Sequence, residues 1–414
     1  MDTPRLRAVL AEAIDPSGEL FKNSALKSEV LPEDSREQYL NYLLSREVAD
    51  LLRKEHGFDH GFFIRVPSGA FGFHADQVAA KIVERARLRS PDAAVGWLDK
   101  VLQTTKAAGK VVTALWGVPS IAAAELVQGV SLVPLSDIPS SSNLDWLTED
   151  QNHYLPTGLS RPILLGTPKA ALVRQVIIDP FITVATDDQS PRKKEPLSDY
   201  QLLDEIRNVL TAVGPCAPIQ AVSWFQFDDR DLDDALLGAA RMFRNHEAMP
   251  MRIETFGDFD CKQAADLVHC FYQVEYKLRK KLSIALDRLN MAIRRQSVGD
   301  RALDLCIALE AILADGRAEH SYKVSLRAAL LTELGVEARG IVKATYDLRS
   351  ALVHNGEAPP NITVSGKGKI TSEEVTSEAI KVCGAVIVAV LRRRELPDWF
   401  EYDLNQPKAP LVDA

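Results

Sequence analysis

An arginine and a histidine near the end of one helical segment, Arg349 and His354, are of types that bind anions and transfer protons. The helical period places Arg349 on one face with Val342, Tyr346 and Val353, at the spacing i, i+4, i+7 and i+11. A charged side chain on an apolar stripe needs a counter-charge in the core, at an interface or on a ligand. The residue types and spacing therefore leave two interpretations open: a role in catalysis or ligand contact, or a structural role.

Two charged residues upstream repeat this pattern on predicted helices of their own. Glu310 shares an apolar stripe with Ile307. Arg327 shares one with Leu331. Since Glu310 can pair with Arg327 or Arg349, the favoured interpretation is a buried ion pair that sets the register of the helices. In that case, replacing Glu310 with alanine would lower the free energy of unfolding by about 3–5 kcal/mol.

Three ordered motifs in the C-terminal third resemble the HEPN superfamily, in particular its Apea-like branch. They are IALEAIL at 307–313, SLRAALL at 325–331 and YDLRSALVHNG at 346–356, and the segment 284–305 is similar to the same branch. The resemblance extends over residues 260–395 of the chain. It implies a C-terminal all-α bundle of a kind that commonly dimerises. Because a helical and mixed α/β region precedes this bundle, the expected fold class is α+β.

The resemblance also implies chemistry, because many HEPN domains are metal-independent ribonucleases with an arginine followed a few residues later by a histidine. That signature falls on Arg349 and His354, with four residues between them. The residue after the arginine is Ser350, and serine is common in the Apea-like branch. The supporting residues that would orient the pair are Glu310, Arg327, Ser350 and Asn355.

Cleavage of RNA without a metal needs a base for the 2′-hydroxyl proton, an acid for the leaving 5′-oxygen and a cation for the charge on the phosphorane. One arginine and one histidine supply two of these, and a symmetric dimer would supply a second histidine. Positions i and i+5 of a straight helix point about 140° apart. Arg349 and His354 therefore converge only if the helix ends near Val353, and Asn355-Gly356 is the expected stop.

The composition of the 414-residue chain is that of an ordinary globular protein, with 46% apolar and 26% charged residues. No apolar run approaches the ~20 residues of a membrane-spanning helix, and the N-terminus lacks a signal-peptide pattern. The five cysteines are scattered without a Cys-x-x-Cys pair, which favours reduced thiols. We therefore expect a cytoplasmic protein with no membrane partner, no cofactor and no metal.

The net charge of −8 disfavours non-specific nucleic-acid binding by the whole surface. Basic residues nevertheless outnumber acidic ones between residues 271 and 300. This run predicts either a solvated helix face or a local patch that contacts RNA phosphates. The candidate RNA-binding residues are Lys277, Lys280, Lys281, Arg288, Arg294 and Arg295.

Residue patterning divides the chain into a helical, a mixed α/β, a second helical and a terminal stretch. Their bounds are 1–107, 108–255, 256–400 and 401–414. In the first stretch, apolar spacing predicts helices at 6–14, 32–56, 75–89 and 92–108. His56, Asp59 and His60 lie in an expected loop without a helical frame, so their spacing does not predict a metal site.

Beta-branched residues bounded by Pro, Gly or Ser predict strands at 110–116, 130–134, 170–178 and 219–227. A helix is expected at 231–243. Helical periodicity then predicts a long element over 261–296, broken once, and helices at 300–314, 320–334, 337–353 and 372–394. Gly366-Lys-Gly-Lys, between the last two, lacks the context of a phosphate-binding P-loop and is expected to be an ordinary loop.

These observations favour a HEPN-type metal-independent endoribonuclease, and the resemblance implies a regulated toxin or antiviral-defence effector. Arg349 would bind the RNA phosphodiester and His354 would transfer protons, while the residues before 256 sense a trigger or select the substrate. We expect a homodimer through the C-terminal bundle, with RNA as the candidate partner. The alternative is a non-catalytic module that dimerises or binds a ligand, in which Arg349 forms a structural salt bridge with Glu310.

Overall fold

A computed structural model of the chain has an α+β fold, as the sequence predicts. The residues it describes are 3–14, 33–55, 58, 61–119, 122–149, 154–155, 163–164, 166–184, 198–237, 241–242, 256–315, 320–332 and 334–404. The chain forms two compact units. The first contains Met1–Val111, Gln175–Asp199 and Trp224–Arg241, and the second contains Val112–Arg174, Tyr200–Ser223 and Met242–Ala414.

Four helices open the first unit, where apolar residues recur at helical spacing. They are α1 (Thr3–Ile14), α2 (Glu33–Glu55), α3 (Ala75–Leu88) and α4 (Pro91–Gln103). Helix α4 begins with a sequence-encoded cap, because Ser90 Oγ accepts a hydrogen bond from the Ala93 N–H and Pro91 occupies the first turn. The four predicted helices are confirmed, but the fourth ends at Gln103 and not at 108 as expected, because a strand begins at Ala107. No described helix of the chain is long and apolar enough to cross a membrane.

A three-stranded antiparallel sheet in the first unit corrects the expected loop before α3. Its strands are β1 (Phe62–Val66), β2 (Gly69–Phe73) and β9 (Ile182–Val184), in the order β2-β1-β9. Sequence spacing missed it because strands of five residues or fewer show little alternation and because β9 is distant in the chain. His56, Asp59 and His60 lie outside the described residues.

A six-stranded sheet contains the strands β3 (Ala107–Trp116), β4 (Ala124–Val127), β5 (Val130–Pro134), β8 (Ala170–Ile178), β10 (Ile219–Phe227) and β11 (Arg241–Met242). Their order in the sheet is β11-β10-β3-β8-β5-β4. The four predicted strands are confirmed. Every residue of β10 is buried, which explains why its sequence lacks a clean alternation of apolar and polar residues. Short elements complete this part of the chain: β6 (Tyr154–Leu155), β7 (Ile163–Leu164), α5 (Ser142–Glu149) and α6 (Asp199–Leu210).

The helix expected at 231–243 is wrong. A single turn, α7 (Arg230–Asp233), leads into a 3-10 turn, after which Leu237 has a left-handed backbone at φ +55°. Asp side chains compete for the backbone here, since the Asp229 carboxylate accepts from Asp231 N–H and the Asp233 carboxylate accepts from Phe227 N–H. Four aspartates in six residues therefore favour caps and turns over a continuous helix.

The C-terminal part of the second unit is a bundle of long helices. They are α8 (Cys261–Gln273), α9 (Tyr276–Arg294), α10 (Val298–Leu313), α11 (His320–Thr332), α12 (Gly335–Asn355) and α13 (Ser372–Arg393). All the predicted helices are confirmed, including the single break between α8 and α9. Thr371 and Glu374 form a reciprocal capping box at the start of α13. The apolar faces of these helices form a core in which Leu305, Leu309 and Ile387 are fully buried.

Two glycines let other elements approach α12 closely. A Cβ on Gly299 of α10 would lie 2.8 Å from a Leu352 methyl carbon, and one on Gly340 would lie 2.8 Å from the Ser365 carbonyl oxygen. Ser365 belongs to a hairpin of β12 (Asn361–Val364) and β13 (Gly368–Thr371), which replaces the loop expected there. Neighbouring elements therefore pack closely against α12 at these two points. A last helix, α14 (Trp399–Leu404), extends into the stretch expected to be a tail.

Candidate functional site

The end of α12 decides how Arg349 and His354 are oriented. Gly356 adopts a left-handed backbone at φ +80° and its N–H donates to the Leu352 carbonyl at 2.9 Å, so the expected glycine stop is confirmed. The helix nevertheless continues through His354 to Asn355 instead of ending near Val353. Arg349 and His354 of one chain therefore point about 140° apart, and the condition for their convergence is not met within a single chain.

The residues of the apolar stripe on α12 become more exposed towards the C-terminal end of the helix at Gly356. Val342 is fully buried and Tyr346 is 6% exposed, whereas Val353 is 63% exposed. The Arg349 side chain retains 40% of its exposure, and His354 is exposed. Ser350 and Asn355 are exposed as well. The arginine that looks like a core charge in the sequence is therefore a half-exposed group at the rim of the bundle, and His354 is open to solvent.

Glu310, on α10, lies between Arg349 and a second histidine. One carboxylate oxygen, Oε1, accepts a hydrogen bond from the Tyr346 hydroxyl at 3.0 Å and is 4.0 Å from Arg349 Nη1. The other oxygen, Oε2, is 4.0 Å from Nδ1 of His320. The Glu310 side chain is 24% exposed. Burial, with smaller contributions from Cys306 and Glu310, holds the pKa of Tyr346 far above its ordinary value, so its hydroxyl remains a donor.

Sequence reasoning missed His320, which is the first residue of α11. The helical spacing of the sequence could have identified it, because His320, Val324 and Arg327 fall at i, i+4 and i+7 on one face of the helix. Its side chain is 35% exposed and faces Glu310 across the gap between two helices. The structure therefore brings Glu310, His320, Tyr346 and Arg349 together, and we call these four residues the Glu310 cluster.

Arg327 belongs to a different part of the bundle. Its side chain is 1% exposed and donates to the Leu313 carbonyl at 2.6 Å, to Asp315 at 2.7 Å and to Asp403 at 2.8 Å. The guanidinium also lies 4.5 Å from the centre of the Trp399 ring. Hydrogen bonding from Arg327 lowers the pKa of Asp315 to about 2. The expected role of Arg327 beside Arg349 is thus replaced by a structural role, in which it ties α14 to the bundle.

The basic residues between 277 and 295 that are expected to bind RNA do not form one patch, because some of them pair with a buried carboxylate and others are exposed. Arg288 and Arg295 donate to the two carboxylate oxygens of Asp304 at 3.0 and 2.8 Å, and Asp304 is only 2% exposed. These two arginines therefore satisfy a buried carboxylate rather than forming an open patch. Arg294 is partly buried. The exposed members of the set lie on the first half of α9 and are Lys277, Lys280 and Lys281.

Replacing Glu310 with alanine should lower the free energy of unfolding by about 1–2 kcal/mol, because a buried Tyr346 hydroxyl loses its acceptor. The ion pair with Arg349 adds little, since it is 4.0 Å long and both side chains are partly exposed. This is less than the 3–5 kcal/mol of a broken buried pair expected from sequence. Urea unfolding can measure the change, with Glu378→Ala, which removes a carboxylate that is 39% exposed, as control. A loss as large as that of a buried pair would contradict this description.

Comparison with known proteins gives no match. No protein-family model, no curated protein and no solved structure matches the chain. The Glu310 cluster must therefore be interpreted from its own chemistry. It combines a carboxylate, an imidazole and a guanidinium that remain partly exposed, which is a set suited to anion binding and proton transfer. Within the described residues, no three His, Cys, Asp or Glu side chains are grouped to hold a metal ion.

Proposed function

We propose that this protein is a HEPN-type metal-independent endoribonuclease that acts as a homodimer through its C-terminal bundle. The observation that carries the proposal is the end of α12, where Arg349 and His354 are both accessible to solvent within five residues of each other. Arg349 is 4.0 Å from Glu310, a distance too long for a hydrogen bond, so its guanidinium retains donors for an RNA phosphate.

The orientation of α12 requires two chains at one phosphate. Arg349 of one chain binds the phosphate and stabilises the charge that develops on the phosphorane. His354 of the same chain points about 140° away from this phosphate. His354 of a second copy therefore acts there as the general base for the 2′-hydroxyl proton or as the general acid for the leaving 5′-oxygen. A two-fold axis near the last turns of α12 would provide this arrangement twice, since each chain gives and receives the same contact.

The lysines on the first half of α9, Lys277, Lys280 and Lys281, supply further phosphate contacts in this proposal. They are exposed, unlike the arginines that bind Asp304. Binding of RNA by such contacts weakens as salt concentration rises, because each contact releases counterions. By its resemblance, the protein would act as a regulated toxin or antiviral-defence effector, with the residues before 256 sensing a trigger or selecting the substrate.

A cleavage assay tests the proposal. Purified protein incubated with mixed RNA in EDTA should cleave it, and His354→Ala should lower the rate by about 10²–10⁴-fold, the usual contribution of a proton-transfer residue. Because His354 is exposed, the melting temperature of the His354→Ala variant should differ little from that of the wild type. The matched control is His269→Ala, which removes an exposed histidine on α8. Equal cleavage by His354→Ala and wild type, or a clear loss of stability in His354→Ala, would contradict the proposal.

A non-catalytic module is the second candidate, and the Glu310 cluster supplies its supporting observation. Glu310 lies 4.0 Å from Arg349 and accepts a hydrogen bond from Tyr346, so the arginine has a structural counter-charge. In this case the bundle dimerises or binds a ligand without cleaving RNA. Wild-type protein would then leave RNA intact, and Arg349→Ala would act on stability or assembly alone.

A further inference from the structure

We propose that Tyr346 keeps Glu310 from closing a direct salt bridge with Arg349, so that the guanidinium stays available for an RNA phosphate. In this role, Glu310 competes with the phosphate for Arg349. Tyr346 is a positioning residue that weakens the competition and does not touch the substrate. Because the role concerns the binding of phosphate by Arg349, it rests on the proposed ribonuclease function and adds a control on that step.

The contact between Arg349 and Glu310 is long for an arginine and a carboxylate. Nη1 of Arg349 lies 4.0 Å from Oε1 of Glu310, whereas a direct charge-assisted hydrogen bond is about 2.7–2.9 Å long. Elsewhere in the bundle, Arg295 and Arg327 approach their carboxylates to 2.8 and 2.7 Å. Arg349 and Glu310 are therefore close enough to attract each other, but they form no hydrogen bond.

The carboxylate oxygen that faces Arg349 is already held from inside the bundle. The Tyr346 hydroxyl donates to Oε1 of Glu310 at 3.0 Å, and the tyrosine is 6% exposed. Burial keeps the pKa of Tyr346 far above its ordinary value, so the hydroxyl remains a donor at neutral pH. This hydrogen bond uses one lone pair of Oε1 and anchors the carboxylate to a buried group.

Arg349 reaches the same oxygen from the exposed rim of the bundle. It follows Tyr346 by three residues on α12, so the two side chains are neighbours on the helix surface. The guanidinium retains 40% of its exposure, and Glu310 is its one acidic partner among the described residues. If the Tyr346 hydroxyl were removed, the freed carboxylate would bind Arg349 directly, and an incoming phosphate would have to displace it.

Three variants separate this role from a merely structural one. Tyr346→Phe removes the hydroxyl and should lower the affinity for RNA about 2–5-fold, the contribution typical of a partly exposed ion pair. Glu310→Gln removes the charge and keeps an acceptor for the hydroxyl, so the affinity should rise by a similar factor. The double variant should bind RNA as Glu310→Gln does, because the amide cannot form the competing ion pair.

Binding and cleavage are measured separately. Fluorescence anisotropy of a labelled RNA with methylated 2′-hydroxyls gives the affinity without cleavage, since the attacking group is blocked. With unmodified RNA, KM should follow the affinity while kcat stays within about twofold of the wild type, because the ion pair competes equally in the ground state and the transition state. Tyr322→Phe, which removes the hydroxyl of a 58% exposed tyrosine, is the matched control.

The double variant and an Arg349→Ala background decide the outcome. The role of Tyr346 is overturned by unchanged affinity of Tyr346→Phe, or by an equal loss in the wild-type and Glu310→Gln backgrounds. A loss that persists in Arg349→Ala also overturns it, since no guanidinium then remains to be bound. These results leave the proposed function intact as long as the wild type cleaves RNA. A wild type that does not cleave RNA overturns the proposed function and this inference with it.

Circular dichroism melting verifies that each variant is folded. If Tyr346→Phe does not fold, Glu310→Gln decides alone. Its affinity for the methylated RNA must exceed that of the wild type, and an equal or lower affinity shows that Glu310 does not compete with the phosphate.

Discussion

Replacing Arg327 with alanine is expected to lower the free energy of unfolding by about 3 kcal/mol. The guanidinium is 1% exposed and joins Asp315, Asp403 and the Leu313 carbonyl. Breaking a buried ion pair usually costs about 3–5 kcal/mol, and the lower value applies because the two carboxylates retain 34% and 25% exposure. Urea unfolding measures the loss.

A matched control is available on the same carboxylate. Lys323 also pairs with Asp315, at 3.5 Å, but is 33% exposed, so Lys323→Ala should cost less than about 1 kcal/mol. Similar losses for the two variants would contradict the role assigned to Arg327.

The pH dependence of stability gives an independent measure of the same contact. Hydrogen bonding from Arg327 lowers the pKa of Asp315 to about 2, below its value of ~3.9 in an unfolded chain. A lowered carboxyl pKa stabilises the folded state above the unfolded-state value, and this stabilisation is lost as the pH falls towards 2. Wild-type protein should therefore lose stability between about pH 4 and pH 2, and Arg327→Ala should lose less over that interval.

A mixed dimer of Arg349→Ala and His354→Ala is expected to recover about half of wild-type cleavage, although each variant alone is nearly inactive. The reason is that α12 remains helical through His354 to Asn355, so the two side chains of one chain point about 140° apart. In the mixed dimer, one site combines the intact Arg349 of one chain with the intact His354 of the other. The second site lacks both groups.

The control for this recovery is Arg349→Ala co-expressed with wild-type protein in both tags, which also keeps one complete site. Sedimentation at micromolar concentration should show the dimer that this arrangement needs. Cleavage by a strict monomer, or a mixed dimer as inactive as its parents, would exclude a site shared between chains.

Much of the secondary structure is determined by the sequence, because helices form from local spacing and local caps. The helices of the C-terminal bundle, the Gly356 stop and the four strands at 110–116, 130–134, 170–178 and 219–227 all follow from residues close in the chain. The short strands β1 and β2 could not be predicted in this way, since each needs a partner and few residues alternate. In the turn after β10, aspartate carboxylates accept hydrogen bonds from backbone N–H groups and so compete with helix formation. A prediction from apolar spacing does not take this competition into account.

The tertiary structure alone decided the partners of the charged residues. In the sequence, Glu310, Arg327 and Arg349 look alike, as single charges on apolar stripes. In the fold, Arg327 is buried against Asp315 and Asp403. Arg349, in contrast, lies at the rim of the bundle, where its Nη1 is 4.0 Å from Oε1 of Glu310. Helical period specifies which way a side chain points from its own helix, but burial and charge pairing depend on the packing of helices that are distant in the chain. That packing also brought His320 to Glu310.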